Sequence, residues 1–194
     1  MISTSLHALC ITGDHTRVRD EFKVLMKELN ATYDTIDESP LEFLTILRLT
    51  NLEYAIDCCT AAPQHAVAWR NYAIGCANRV KKHVTLEACH ASLMAAERFS
   101  RGEIDDETLR QFYEAARTVW FSKGSYGVNS LIDTDRLLEI EYLSNQAACE
   151  VANPDISWGI AEVNRATGYV LEAIGMDVNT VNETLTREFS NVLV

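Results

Sequence analysis

Apolar residues recur at three- and four-residue steps along most of this chain, the spacing that gathers side chains on one face of an α-helix. The first run is Val18, Phe22, Leu25 and Leu29, with Asp14 placed to cap its start. Next, "SPLE" combines Ser39 as a cap, Pro40 at the first helical position and Glu42 closing a capping box, for a helix reaching about Thr50. Asn51 restarts a helix through Leu52, Ala55, Ile56 and Cys59, and Pro63 opens the one after it. Thr85 is placed to cap a helix bearing Leu86, Cys89, Leu93 and Ala96. Gly102 stops that helix, and Asp105 or Asp106 caps the next, which carries Leu109, Phe112, Ala116 and Trp120 as far as Gly124.

Beyond the glycine-rich stretch Ser122–Ser130, helical spacing returns over roughly 134–152, 155–174 and 180–191. Asp155 caps the second of these, and Thr180 caps the third in a "TVNE" box. Ile156, Ile160, Val163, Thr167, Val170 and Ile174 form one apolar stripe. No segment shows the alternation of a half-buried strand, and no hairpin turn is present in the sequence. The pattern predicts an all-α single domain of eight or nine helices in an irregular antiparallel array. It falls into N-terminal helices (1–62), a middle group (63–124) and a C-terminal group (125–194).

The stretch "AWRNYAIGCANRVKKHV", Ala68 to Val84, stands out by combining aromatic, thiol and basic residues. Trp69, Ala73, Cys76, Val80 and Val84 share one face, which is expected to be core, with Cys76 a packing residue. Arg70, Asn71, Asn78, Lys81 and Lys82 fall largely elsewhere and are expected to meet solvent or neighbouring acids. Between Cys58 and Leu86 there are no acids, and Arg70, Arg79, Lys81 and Lys82 make a +4 island.

Charge changes the picture further along. The whole chain carries a formal net charge of −11, and residues 125–194 hold 11 acids against three bases (Arg136, Arg165, Arg187). Such an acidic third argues against nucleic acid as a ligand and suits a protein partner with a basic surface. The six cysteines form no CxxC pair and no regular framework, which fits reduced packing thiols. No apolar run approaches the roughly 20 residues that span a bilayer, and the N-terminus lacks the basic and apolar regions of a signal peptide. A cytoplasmic location is expected, with no membrane partner.

The middle group also carries a resemblance. Cys76-Ala77-Asn78-Arg79-Val80 is similar to a "CAERV" helix end, and Ala95 to Glu103, "AAERFSRGE", to an "AxRFARGE" motif. Glu107-Thr108-Leu109 and Ala115 to Trp120, "AARTVW", follow where that pattern has an acidic helix start and "AARxAAW". Over roughly residues 66–121 the chain resembles immunity proteins of bacterial polymorphic toxin systems. The resemblance implies an all-helical inhibitor or binding protein.

Catalytic signatures are missing from the sequence. The histidines His7, His15, His65, His83 and His90 show no zinc spacing; His7 with Cys10, and His83 with Cys89 and His90, come nearest. There is no GxSxG, P-loop or GxGxxG. Asp105–Asp106 read as cap and first-turn acids. No enzyme activity, cofactor or metal is expected. The expected function is stoichiometric inhibition of a toxin or bacterial defence enzyme, as an immunity or phage anti-defence protein; the alternative is a scaffold subunit of a larger assembly. A homo-oligomer is compatible with either. The candidate contact element is "DTDRLLEIEYL", in which Asp133, Asp135, Glu139 and Glu141 supply charge and Leu138 and Tyr142 an anchoring strip. Leu137, Ile140 and Ala147 are then expected to face the core.

Overall fold

The computed structural model describes residues 2–11, 20–32, 34–124 and 136–194. Asp14 and Val18, at the start of the first expected helix, lie outside them, as do Asp133 and Asp135. The described residues form ten α-helices in one all-α domain: α1 (Leu6–Ile11), α2 (Asp20–Glu28), α3 (Phe43–Leu49), α4 (Leu52–Asp57), α5 (Ala66–Val80), α6 (Glu87–Ser100), α7 (Asp106–Gly124), α8 (Arg136–Glu150), α9 (Ile156–Ala173) and α10 (Val178–Leu193). The count exceeds the expected eight or nine because the N-terminal 62 residues break into four short helices. A two-residue antiparallel pair, β1 (Ser3–Thr4) with β2 (Leu41–Glu42), is the one departure from an all-helical chain among them.

That pair explains why the capping box at Ser39 does not form. Leu41 and Glu42 are extended and paired to Thr4 and Ser3, so the helix begins at Phe43 without a side-chain cap. Ser39 instead bonds to the Asp37 carboxylate. Asn51 does cap α4, accepting from the Tyr54 N–H at 2.8 Å. Asp105 caps α7 through the Thr108 N–H at 2.9 Å, and Gly102 takes the left-handed φ of 73° that ends α6. Three other expected caps differ. Asp177, not Thr180, caps α10, accepting from the Asn179 and Thr180 N–H groups at 3.1 Å. At α6 the capping group comes from another helix: Asn145 of α8 accepts from the Thr85 N–H at 3.1 Å and the Leu86 N–H at 3.0 Å. Asp155 precedes α9 but bonds the Ser157 hydroxyl rather than a backbone N–H.

Helix α9 is the centre of the fold, packed against α8 and α5 and touched by α10 and α4. Its stripe Ile156, Ile160, Val163, Thr167 and Val170 is buried as expected, whereas Ile174, just past its end, is exposed. Helices α6 and α7 are joined by five residues and pack on each other, as do α8 and α9. The aromatic heart lies under α5. Trp69 is fully buried, 4.9 Å from the Phe43 ring and 6.0 Å from Phe189, and its indole N–H donates to the Ala62 carbonyl at 2.9 Å. Tyr72 meets Phe189 edge-on at 5.1 Å and donates to the Asn164 side chain at 2.6 Å. This cluster ties α3, α5, α9 and α10 together, so the N-terminal group shares one core with the rest.

Trp69, Ala73, Cys76, Val80 and Val84 are all buried, as their spacing predicts. Arg70 is not where it was expected. It is only 4% exposed, and its guanidinium donates to the Val151 carbonyl at 2.5 Å and the Asn153 carbonyl at 3.1 Å. Those carbonyls sit just past the C-terminus of α8, where a helix leaves acceptors unfilled and favours a cation. The Phe99 ring lies 5.2 Å from the guanidinium carbon. Burial lowers the Arg70 pKa to about 10, against a smaller raising effect from Asp106.

Candidate partner-binding surface

The expected contact element lies where α7 ends and α8 begins. Helix α7 turns Leu109, Tyr113, Ala116 and Trp120 inward at three- and four-residue steps, leaving Arg117, Val119 and Phe121 at the surface. Arg117 lies one turn from both Tyr113 and Phe121, and its guanidinium sits 6.0 Å and 5.2 Å from their ring centres. Across the helix pair the Trp120 ring packs 5.3 Å from that of Tyr142, tilted by 37°. Burial against this neighbour raises the Tyr142 pKa above its ordinary value.

Of the six expected contact residues, Asp133 and Asp135 are outside the described chain. Leu138, Glu139 and Glu141 are exposed, and Tyr142 is half-buried, anchored on Trp120. Leu138 is one turn before Tyr142 and 52% exposed, and Phe121 of α7, also 52% exposed, has its ring 4.8 Å from that of Trp120, on which Tyr142 packs. Leu137 corrects the expectation: it is 66% exposed, while Ile140 and Ala147 on the same periodic stripe are buried. Periodicity sets the direction in which a side chain points, but not whether a neighbour buries it there. Val119 and Phe121 on α7 and Leu137 and Leu138 on α8 are thus exposed large apolar side chains, and Glu139 and Glu141 are exposed on the same turns of α8. Sequence reasoning missed Phe121, although its position next to an inward Trp on an amphipathic helix marks it as outward.

The basic island around α5 is partly engaged from within. Arg70 is buried on backbone carbonyls, Arg79 pairs with Glu188 of α10, and Asn78 donates to Glu97 at 2.9 Å. Lys82 is exposed and Lys81 half-buried.

Below the α7–α8 edge lies a buried polar turn. Glu150, the last residue of α8, accepts from the Asn153 amide at 2.7 Å and lies 3.5 Å from the Tyr113 hydroxyl. Its pKa is raised, chiefly by burial, with the Asn153 hydrogen bond and Arg117 opposing. Gly159 of α9 crosses this turn so closely that a Cβ there would stand 3.0 Å from the Glu150 carbonyl oxygen and 3.0 Å from the Asn153 Cβ. These groups are occupied in holding α8 on α9.

Thiol chemistry is suppressed. Burial pushes Cys76 and Cys89 up to about 12 and raises Cys59 and Cys149 as well, so these sulfurs stay protonated. Among the described residues no three His, Cys, Asp or Glu side chains gather as metal ligands, and no helix is long and apolar enough to cross a membrane. One hollow of about 310 Å³ opens between α4, α9 and α10. Another of about 490 Å³, beside the start of α5, is lined mainly by uncharged groups such as Gln64, Asn71 and Asn191.

No family model, curated protein or solved structure matches the chain. The likeness of residues 66–121 to immunity proteins therefore stands on its motifs alone.

Proposed function

We propose that this protein is a stoichiometric inhibitor that binds and blocks a basic protein, a toxin or bacterial defence enzyme, in the cytoplasm. The observation that carries the reading is the α7–α8 edge, where Phe121 of α7 and Leu137 and Leu138 of α8 are exposed large apolar side chains and Glu139 and Glu141 are exposed on the same turns of α8. Exposed apolar anchors with charge nearby are the anatomy of a protein interface, the anchors supplying affinity and the charge supplying steering. The acidic C-terminal third and the immunity-like motifs of the middle group support the same reading. A scaffold subunit is the second reading, favoured by Trp158 of α9, which is 55% exposed on a different helix.

The test begins with cross-linking pull-down from the native host and purification of the captured partner. Calorimetry is expected to give one-to-one binding, and the partner's activity is expected to fall in proportion to the complex formed. Changing Leu137 and Leu138 to Ser, with Glu139→Gln and Glu141→Gln, should weaken binding more than about tenfold. The helical circular dichroism of that variant should be unchanged. Its lost association rate should matter less as salt rises. Undiminished binding by the variant would remove the edge as the interface. A partner that stays fully active in the complex would transfer the protein to the scaffold reading.

A further inference from the structure

The groove between α4, α9 and α10 shares no residue with the α7–α8 edge and has its own chemistry. Its floor is apolar, made by Ile56 of α4 with Val181 and Leu185 of α10. Gly168 of α9 keeps the floor open: a Cβ there would stand 3.7 Å from Leu185 Cδ1 and 3.9 Å from Val181 Cγ1, ordinary contact distances that would fill the space without a clash.

Two side chains of α9 stand over that floor. Tyr169 is 57% exposed, and Glu172, three residues on and so on the same helical face, is also exposed. Neither side chain has a hydrogen-bond or ion-pair partner among the described residues. The groove's own cation, Arg165, is paired with Glu162 at 2.9 Å, so its charge is already matched. Glu53 and Asp57 of α4 line the facing wall.

An aromatic face and a carboxylate one turn apart, above a shallow apolar trough, complement a cation carried on a hydrocarbon stem. A volume of about 310 Å³ is at the lower end of ligand pockets, too small for a helix and sufficient for one long side chain. We infer that the groove receives a basic side chain, lysine or arginine, presented by a protein partner, with the stem on Ile56 and Leu185 and the cation between Tyr169 and Glu172. This second contact does not depend on the α7–α8 edge being the main interface.

The experiment is an NMR titration of the labelled protein with capped Gly-Lys-Gly, Gly-Arg-Gly and Gly-norleucine-Gly peptides and with n-butylamine. The lysine and arginine peptides are expected to shift the Gly168 amide and the Val181 and Leu185 methyl signals to saturation, and the norleucine peptide to leave them in place. Glu172→Gln and Tyr169→Leu should each weaken the lysine peptide by about two- to fivefold, the range of an exposed cation–π contact. Gly168→Ala should weaken it as well while leaving the melting temperature unchanged or raised, since alanine is the better helix former. Equal shifts from the norleucine peptide would overturn the proposal, as would wild-type binding by both Glu172→Gln and Tyr169→Leu. Butylamine binding as tightly as the lysine peptide would overturn the assignment to a partner's side chain.

Discussion

Helix α5 and the first turns of α8 are both amphipathic, and each holds residues on the side opposite to their chemistry. On α5 the charged Arg70 is buried. On α8 the apolar Leu137 and Leu138 are exposed. The difference lies in what surrounds them. Around Arg70 the C-terminal carbonyls beyond α8 offer acceptors inside the protein, so the guanidinium exchanges water for fixed oxygens and an aromatic face. At Leu137, near the start of α8, the side chain is 66% exposed. A buried charge and a large exposed apolar patch are the two observations worth explaining in any fold. Here the first holds the fold together, and the second is the surface we propose for a partner.

The comparison can be broken by substitution, and the largest effect is expected at the heart of α5. Trp69→Ala should cost about 3–5 kcal/mol in a denaturant titration, as truncations of fully buried large aromatics do. A loss below about 1 kcal/mol would mean that the aromatic cluster does not anchor the N-terminal helices. Arg70→Ala should cost about 2–3 kcal/mol, because two buried carbonyls lose their donor. Its protection against amide exchange should fall first in the 150–155 turn. A loss within about 0.5 kcal/mol, the range of surface positions, would return Arg70 to the solvated face that the sequence suggests.

The next expected effect is one of pH. The fold raises the Glu150 pKa above its ordinary 4.5, so the native state holds this proton to higher pH than the unfolded chain does. Stability from this group therefore declines as pH rises from about 4.5 through the folded pKa, and stays lowered above it. Glu150→Gln keeps an acceptor for Asn153 and cannot ionise, so it should gain stability at pH 7 relative to the wild type, with the difference vanishing near pH 4. Melting temperatures across that range check it, and a gain that persists equally at pH 4 would assign the effect to packing instead. The smallest stability effect is expected at the edge itself. Leu138→Ser with Glu139→Gln should change stability by less than about 0.5 kcal/mol, as exposed positions do. A loss of several times that would show Leu138 to be packed, and the α7–α8 edge would lose its anchor.

Much of the helical layout follows from local pattern. Asn51 and Asp105 cap where short polar side chains precede apolar runs, and Gly102 ends α6 in the left-handed region. Two of the caps that differ from expectation are set by distant partners. Thr85 gives way to Asn145, sixty residues on, and the Ser39 box gives way to pairing of Leu41–Glu42 with β1. Of the candidate site, Leu138, Glu139 and Glu141 are legible as an exposed acidic strip, whereas Phe121 and Leu137 join them only once α7 and α8 are seen side by side.

The sequence by itself determined the all-α class, most helix boundaries, the inward stripe of α9 and the core face of α5, because these depend on spacing and capping within a few residues. Only the tertiary structure decided that Arg70 is buried, that Leu137 is not, and that Tyr169 and Glu172 overlook a groove floored by α4 and α10. Those outcomes depend on which backbone carbonyl or which helix lies opposite a side chain, and that neighbour comes from far along the chain.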